Sequence, residues 1–225
     1  MKAPFFYAPG LRDSGDRFTL DEASSRHCIQ VLRHRDGDVV LLTDGEGTRG
    51  VAEIERADKK RCVVRVRELK QTTRSVPPIA VAVAFTKQAA RMEWFLEKAT
   101  EIGVTEIFPL RAARSEKIHA NAGRLRGVMV AAMLQSQQDY LPLLHDTIAV
   151  EDLPGHASAY TGRFVAHCEE TDRTYLSRAL TPGVPSIVMI GPEGDFTPAE
   201  IALALERGFI PVSLGETRLR TETAA

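Results

Sequence analysis

The segment Ile79–Gly103, "IAVAVAFTKQAARMEWFLEKATEIG", changes its hydrophobic period partway along. It opens with "IAVAVAF", a near-continuous apolar run of the kind found in strands covered on both faces. In "RMEWFLEKATEIG", Met92, Phe95, Leu96, Ala99 and Ile102 recur at spacings of three and four, which predicts one apolar helix face with Gly103 as its C-cap. A buried strand followed at once by an amphipathic helix is the repeating unit of a parallel α/β sheet.

The same alternation continues toward the C-terminus. "EIFPL" reads as a strand, and Asn121 is placed to cap a helix over "AGRLRGVMVAAMLQSQQ" with Leu125, Val128, Met129 and Ala132 on one face. "RFVAHC" and "SIVMIG" read as further strands. Thr197, Pro198 and Glu200 supply an N-cap, a first-turn proline and the third-residue carboxylate of a capping box for "AEIALALERG", which Gly208 ends before a last strand, "FIPVSLG".

Toward the N-terminus the character differs. "DVVLLTD", "GVAEIE" and "RCVVRVREL" are short β-branched runs separated by "DGEG" and "RADKK", the pattern of a small all-β barrel. A short helix is expected in "LDEASSRHCIQVLR", and the polar, proline-ended "KQTTRSVPP" marks the domain boundary, giving domains 1–72 and 73–225.

Composition agrees with an ordinary globular protein: 225 residues, 44% apolar and 26% charged. No apolar run reaches the roughly 20 residues of a membrane span, and the N-terminus lacks the order of a secretory signal, so a cytoplasmic location is expected. Cys28, Cys62 and Cys168 are odd in number and widely spaced, which argues for reduced thiols and against a zinc or other metal site. The net charge of −1 divides into +3 over residues 1–75 and −4 over the remainder. Within "RCVVRVR", period two puts Arg61, Arg65 and Arg67 on one face, either a phosphate-binding stripe or a solvated sheet face.

Two glycine-bearing loops, "IGPEG" and "SLGETRLRTET", follow successive strands, where open α/β sheets bind ligands and where backbone without Cβ atoms can approach them. Tight strand-to-helix turns are the plainer alternative. Neither loop carries a G-x-G-x-x-G or G-x-x-x-x-G-K-[ST] phosphate fingerprint, which disfavours a nucleotide-phosphate enzyme.

The pair "IGPEGDF" and "LGETRLRTETA" resembles the terminal motifs of the RsmE family, SPOUT-superfamily methyltransferases that act on a uridine of 16S ribosomal RNA at ring nitrogen N3 with S-adenosylmethionine. "FTKQAARMEWFLEKATEIGV", "PLRAARS" and "HCIQVLRHRDGD" extend the resemblance over nearly the whole chain. It implies a PUA-like RNA-binding β-barrel, an α/β SPOUT domain with a C-terminal trefoil knot, and a homodimer formed across that knot. Carried over by motif, Ile190, Gly191, Glu193, Gly194, Leu214, Gly215, Leu219, Arg220 and Thr221 would surround the cofactor, approached by His167. Arg33, the arginine of the front motif, joins Arg61, Arg65 and Arg67 as an RNA-binding candidate.

Three features depart from the family pattern. Asp195 stands where a second glycine is usual, which suggests a cap for the following helix; "LQSQQ" replaces a Glu-Gln pair with its downstream Arg; and family members continue beyond "TETAA".

The chemistry points to arginine. A uridine imide must lose its proton, and a fixed guanidinium suits the anion spread over its two carbonyl oxygens. Arg220 is the first catalytic candidate and Arg114 the second, with Glu193 and Glu222 considered as bases. The competing readings are a non-catalytic RNA-binding protein and a SPOUT methyltransferase with another RNA target.

Overall fold

The computed structural model describes residues 3–74, 76–116, 121–169 and 172–225. It divides into two compact units: 1–74 with Val130–Leu141, and 75–129 with Pro142–Ala225.

The first unit holds β1 (Phe5–Tyr7), β2 (Arg17–Thr19), α1 (Glu22–Arg26), β3 (Val39–Thr43), β4 (Thr48–Arg56) and β5 (Val63–Gln71). Its five-stranded sheet runs β1-β3-β4-β5-β2, with β1 parallel to β3 and the other pairs antiparallel. Because β1 and β2 stand at opposite edges, the expected barrel takes the form of a curled half-barrel. Alternation along β4 buries Ala52 and Ile54 against Phe6, Leu11, Leu20, Val40, Leu42 and Val64. Cys28 and Cys62 lie in this core, whereas Cys168 of the second unit is exposed.

Asp21 caps α1 by accepting from Ser24 N at 2.7 Å. The helix does not continue as a regular α-helix but passes into a π-helical turn over His27–Val31, which explains why "LDEASSRHCIQVLR" shows no clean 3.6-residue stripe. Part of the later helix region also belongs to this unit. Asp139 accepts from Arg49 Nε at 2.7 Å, and its carbonyl accepts from Gly47 N at 2.9 Å.

The second unit is parallel throughout. Its strands are β6 (Ile79–Ala84), β7 (Glu106–Arg111), β8 (Leu143–Leu144), β9 (Ile148–Ala149), β10 (Gly162–Ala166), β11 (Thr174–Tyr175), β12 (Ser186–Ile190) and β13 (Ile210–Ser213). The sheet order is β11-β13-β10-β12-β6-β7-β8, with β9 also on β7. The helices are α2 (Ala89–Ile102), the part of α3 (Ala122–Gln135) up to Met129, α4 (Leu153–His156), α5 (Leu176–Ala179), α6 (Pro198–Glu206) and α7 (Thr221–Ala224).

Five of the six β6 residues are buried, as the continuous apolar run requires. On α2, Met92, Phe95, Leu96 and Ala99 are buried and Gly103 caps the helix at φ 95°. Ile102 is a correction, since the last turn of α2 leaves it 82% exposed although it continues the apolar spacing. Asn121 Oδ1 accepts from Arg124 N at 3.1 Å at the start of α3. That helix ends at Gln135, so the expected three-residue "SQQ" tail lies outside it. Thr197 and Glu200 form the predicted capping box of α6.

Candidate functional site

Four loops leave the carboxyl ends of the neighbouring strands β13, β10 and β12 and of β7, which lies beyond β6, and side-chain hydrogen bonds tie them together. After β12, Asp195 N closes a turn onto Pro192 O at 2.9 Å, and Asp195 adopts φ 63°, a left-handed conformation uncommon for a non-glycine residue. Its carboxylate accepts from Phe196 N at 2.8 Å and from Cys168 N, just past β10, at 2.7 Å. Asp195 is therefore not the helix cap, a role Thr197 fills, but the strut between the loops after β10 and β12.

Arg114 joins the loop after β7 to the same turn, donating to Gly194 O at 2.8 Å and Phe196 O at 3.4 Å. Ala113 N donates to Glu200 Oε1 at 2.7 Å. The last strand's loop returns as well, with Thr221 Oγ1 donating to Gly191 O at 3.3 Å. The two glycine loops thus meet through a named contact.

The individual site residues occupy distinct settings. Ile190 is buried, Glu193 and Gly194 are exposed, and Leu214 is half-buried. A Cβ on Gly191 would lie 3.1 Å from Phe196 N, tighter than ordinary contact. Gly215 sits at φ 144° with open space where a side chain would project. Leu219 and Arg220 are exposed, and Arg220 occupies the N-cap position of α7. Among the described residues, no protein group pairs with the Arg220 guanidinium. Glu222 differs, being 8% exposed and paired with Arg91 Nε at 3.3 Å, an arrangement that holds it as an anchoring carboxylate.

His167 is 5% exposed, and neither ring nitrogen has a hydrogen-bond partner among the described residues. Thr86 Oγ1, just past β6, is also buried without a partner. Buried polar groups are nearly always satisfied, so these orphans, past the ends of β10 and β6 on either side of β12, fit a site that receives a polar ligand. Side-chain-free backbone at Gly215, with open space beyond its Cα, leaves room for close approach by a ligand.

Burial, reinforced by Arg173, pushes the His167 imidazole below its usual value, while Asp195 and Glu169 oppose the shift. The ring is therefore neutral near pH 7, with one donor and one acceptor nitrogen. Between that depressed value and about 6.5, an unfolded chain binds the proton and the folded chain does not. Stability is accordingly expected to fall as pH drops through this window. Melting curves from pH 7.5 to 5.5 should flatten in a His167→Gln variant; an equally steep decline would assign the acid sensitivity elsewhere.

The basic stripe on β5 is interleaved with acid. Arg65 pairs with Glu55 at 3.0 Å, Arg17 with the same carboxylate at 2.6 Å, and Arg67 with Glu53 at 2.8 Å. Arg17, then Arg65, holds the Glu55 carboxyl down at about 2. By contrast, Arg61 and Arg33 are exposed, with no side-chain ion pair among the described residues.

Sequence reasoning missed Thr86, Arg91 and the strut role of Asp195. A hydroxyl directly after a buried parallel strand was the available signal for Thr86. Nothing local signalled the other two, because their partners lie 131 positions away at Glu222 and 27 away at Cys168.

A model described as RNA methyltransferase domain matches residues 72–225, and one described as RNA methyltransferase PUA domain matches residues 20–67. The chain is 31% identical to the ribosomal RNA small subunit methyltransferase E of Mycobacterium tuberculosis, over all of this chain and 89% of that protein. Identity is 25% to the Bacillus subtilis protein of the same name, covering 92% of this chain and 86% of the relative. Among solved structures, a "probable rRNA-methyltransferase" from Porphyromonas gingivalis superposes with TM-score 0.91 at 40% identity, covering 98% and 93% of the two chains. The ribosomal RNA small subunit methyltransferase E of Neisseria gonorrhoeae, bound to S-adenosyl methionine, superposes with TM-score 0.86 at 27% identity, covering 99% and 93%. No helix among the described residues is long and apolar enough to cross a membrane.

Proposed function

We infer function from one premise: this chain belongs to the RsmE family of RNA methyltransferases, with a PUA-like front unit and a SPOUT domain. We propose that it methylates a uridine of 16S ribosomal RNA at ring nitrogen N3 in the cytoplasm, as a homodimer, using S-adenosylmethionine. The observation that carries this reading is the meeting of the two glycine loops, Thr221 on Gly191, at the carboxyl edge of a parallel sheet.

Ile190, Gly191, Glu193, Gly194, Leu214, Gly215, Leu219, Arg220 and Thr221 would hold the cofactor with His167. When bound, it supplies an electrophilic methyl group for in-line displacement. The protein's part is alignment and charge. Arg220, exposed and unpaired among the described residues, is suited to the uracil anion, whereas Arg114 is committed to holding the Gly194–Phe196 turn. A trefoil knot is supported by the path of the chain: β13 pairs with β10, and the segment after it returns to the loop after β12.

We further propose that residues 1–72 bind RNA phosphates through Arg33, Arg61, Arg65 and Arg67, and that residues 73–225 carry the chemistry. Arg61→Glu should flatten the salt dependence of RNA binding by roughly 0.7–0.9 log unit. Arg65→Glu should do so less, because Arg65 already shares Glu55 with Arg17. A full salt slope in both variants would make the stripe a solvated face.

Mass mapping of 16S ribosomal RNA from cells with and without the gene tests the reaction. Loss of one N3-methyluridine is expected, and an unchanged methyl inventory overturns the assignment.

A further inference from the structure

A cleft of about 640 Å³ opens in the first unit, lined by Phe5, Phe6, His27, Leu32, Leu134 and Gln135 among others. Its volume lies within the range of sites that hold small organic ligands. The walls are apolar and aromatic, while polar side chains sit among them: His27 and Gln135 are both exposed, and the Gln135 amide has no partner among the described residues. Flat apolar faces combined with a few polar groups suit a planar heterocycle, whose faces stack and whose edge hydrogen-bonds.

Two further observations point to a ligand at this place. The His27–Val31 segment beside it is π-helical, a conformation that recurs at functional sites. Three non-glycine residues among those described have positive φ: Asp195 in the glycine loop, Gln137 in the cleft wall, and Arg33 next to Leu32. Backbone strain of this kind concentrates where function requires it.

Charge names the occupant's class. Arg33 is exposed with no ion pair among the described residues, unlike the Glu-paired arginines of β5, so a phosphate bound there need not displace a paired carboxylate. Phe5 is held in place beneath the Arg49 guanidinium, 4.9 Å from the ring centroid. Arg49 is itself pinned by Asp139 at 2.7 Å and by Gln137 O at 2.6 Å. A ring held this way stacks without first having to be ordered.

We propose that this cleft holds one unstacked base of the substrate RNA, against Phe5 and His27, with Arg33 on the adjoining phosphate. The proposal rests on the ribosomal RNA methyltransferase reading and adds a second base-contact site within the first unit.

The test uses the full chain and a single-stranded RNA carrying 5-iodouridine, with photo-crosslinked peptides identified by mass spectrometry. Crosslinks are expected at Phe5 or His27. Phe5→Leu should weaken RNA binding about tenfold without changing its salt slope, whereas Arg33→Ala should lower that slope by roughly 0.7. S-adenosylmethionine affinity and melting temperature serve as controls, and His27→Ala, an exposed position, repeats the test should Phe5→Leu unfold. Crosslinks confined to other residues, with unchanged RNA affinity in both aromatic variants, overturn the cleft while leaving methylation standing. RNA binding that depends on Phe5 in a protein that methylates no RNA supports the cleft and overturns the reaction.

Discussion

Replacing Arg220 with lysine is expected to slow single-turnover methyl transfer by roughly 100-fold or more while leaving S-adenosylmethionine affinity within about twofold. Arg220 stands at the N-cap position of α7, one residue before the Thr221 that contacts Gly191. Its backbone carbonyl accepts from Thr223 N and Ala224 N at 2.9 Å each, so the main chain there is fixed while the guanidinium remains exposed. A guanidinium presents several donors in one plane to the two carbonyl oxygens of a uracil anion; an ammonium presents a mobile point charge. Arg114 provides the comparison. Because its donors already serve Gly194 O and Phe196 O, Arg114→Lys should disturb the loop and therefore cofactor binding as much as rate. An Arg220→Lys enzyme with a normal transfer rate, or with only weakened cofactor binding, would move Arg220 into the pocket wall.

Valine at Gly215 should abolish measurable cofactor binding at concentrations that saturate the parent, a loss of more than about tenfold by titration calorimetry. Gly215 holds φ 144°, which L-residues rarely adopt and β-branched ones least of all. The space beyond its Cα is open, so the loss would not arise from a clash inside the protein. It would arise because the valine side chain projects into open space and the loop shifts to relieve the strain. Gly208→Val, at φ 81° behind α6, is the control for a strained glycine away from the loops. Parent-like cofactor affinity in a folded Gly215→Val protein would place the ligand elsewhere.

Local pattern carried much of the fold. The period change after Phe85, the Thr197–Glu200 capping box and the Gly103 C-cap are short-range devices, and each is present. Such devices are legible because their partners lie within four residues, where helix geometry alone decides which groups meet. The failures have equally local causes. Ile102 continues a helical spacing but falls where α2 emerges from its packing, and the π-helical turn at His27 breaks the period that the reading relied on.

The division between sequence and tertiary structure follows from this distance. By itself, the sequence determined that a β unit precedes a parallel α/β unit, that two glycine loops follow successive strands, and, through its motifs, the family. Only the tertiary structure decided which groups are committed and which are unpaired. It turned Asp195 from a supposed cap into a strut to Cys168, assigned Arg114 to the Gly194 carbonyl, paired Glu222 with Arg91, and neutralised Arg65 and Arg67 with Glu55 and Glu53. Each of these outcomes depends on sheet order and strand register, which bring together residues from 10 to 131 positions apart, and no local spacing rule reaches that far.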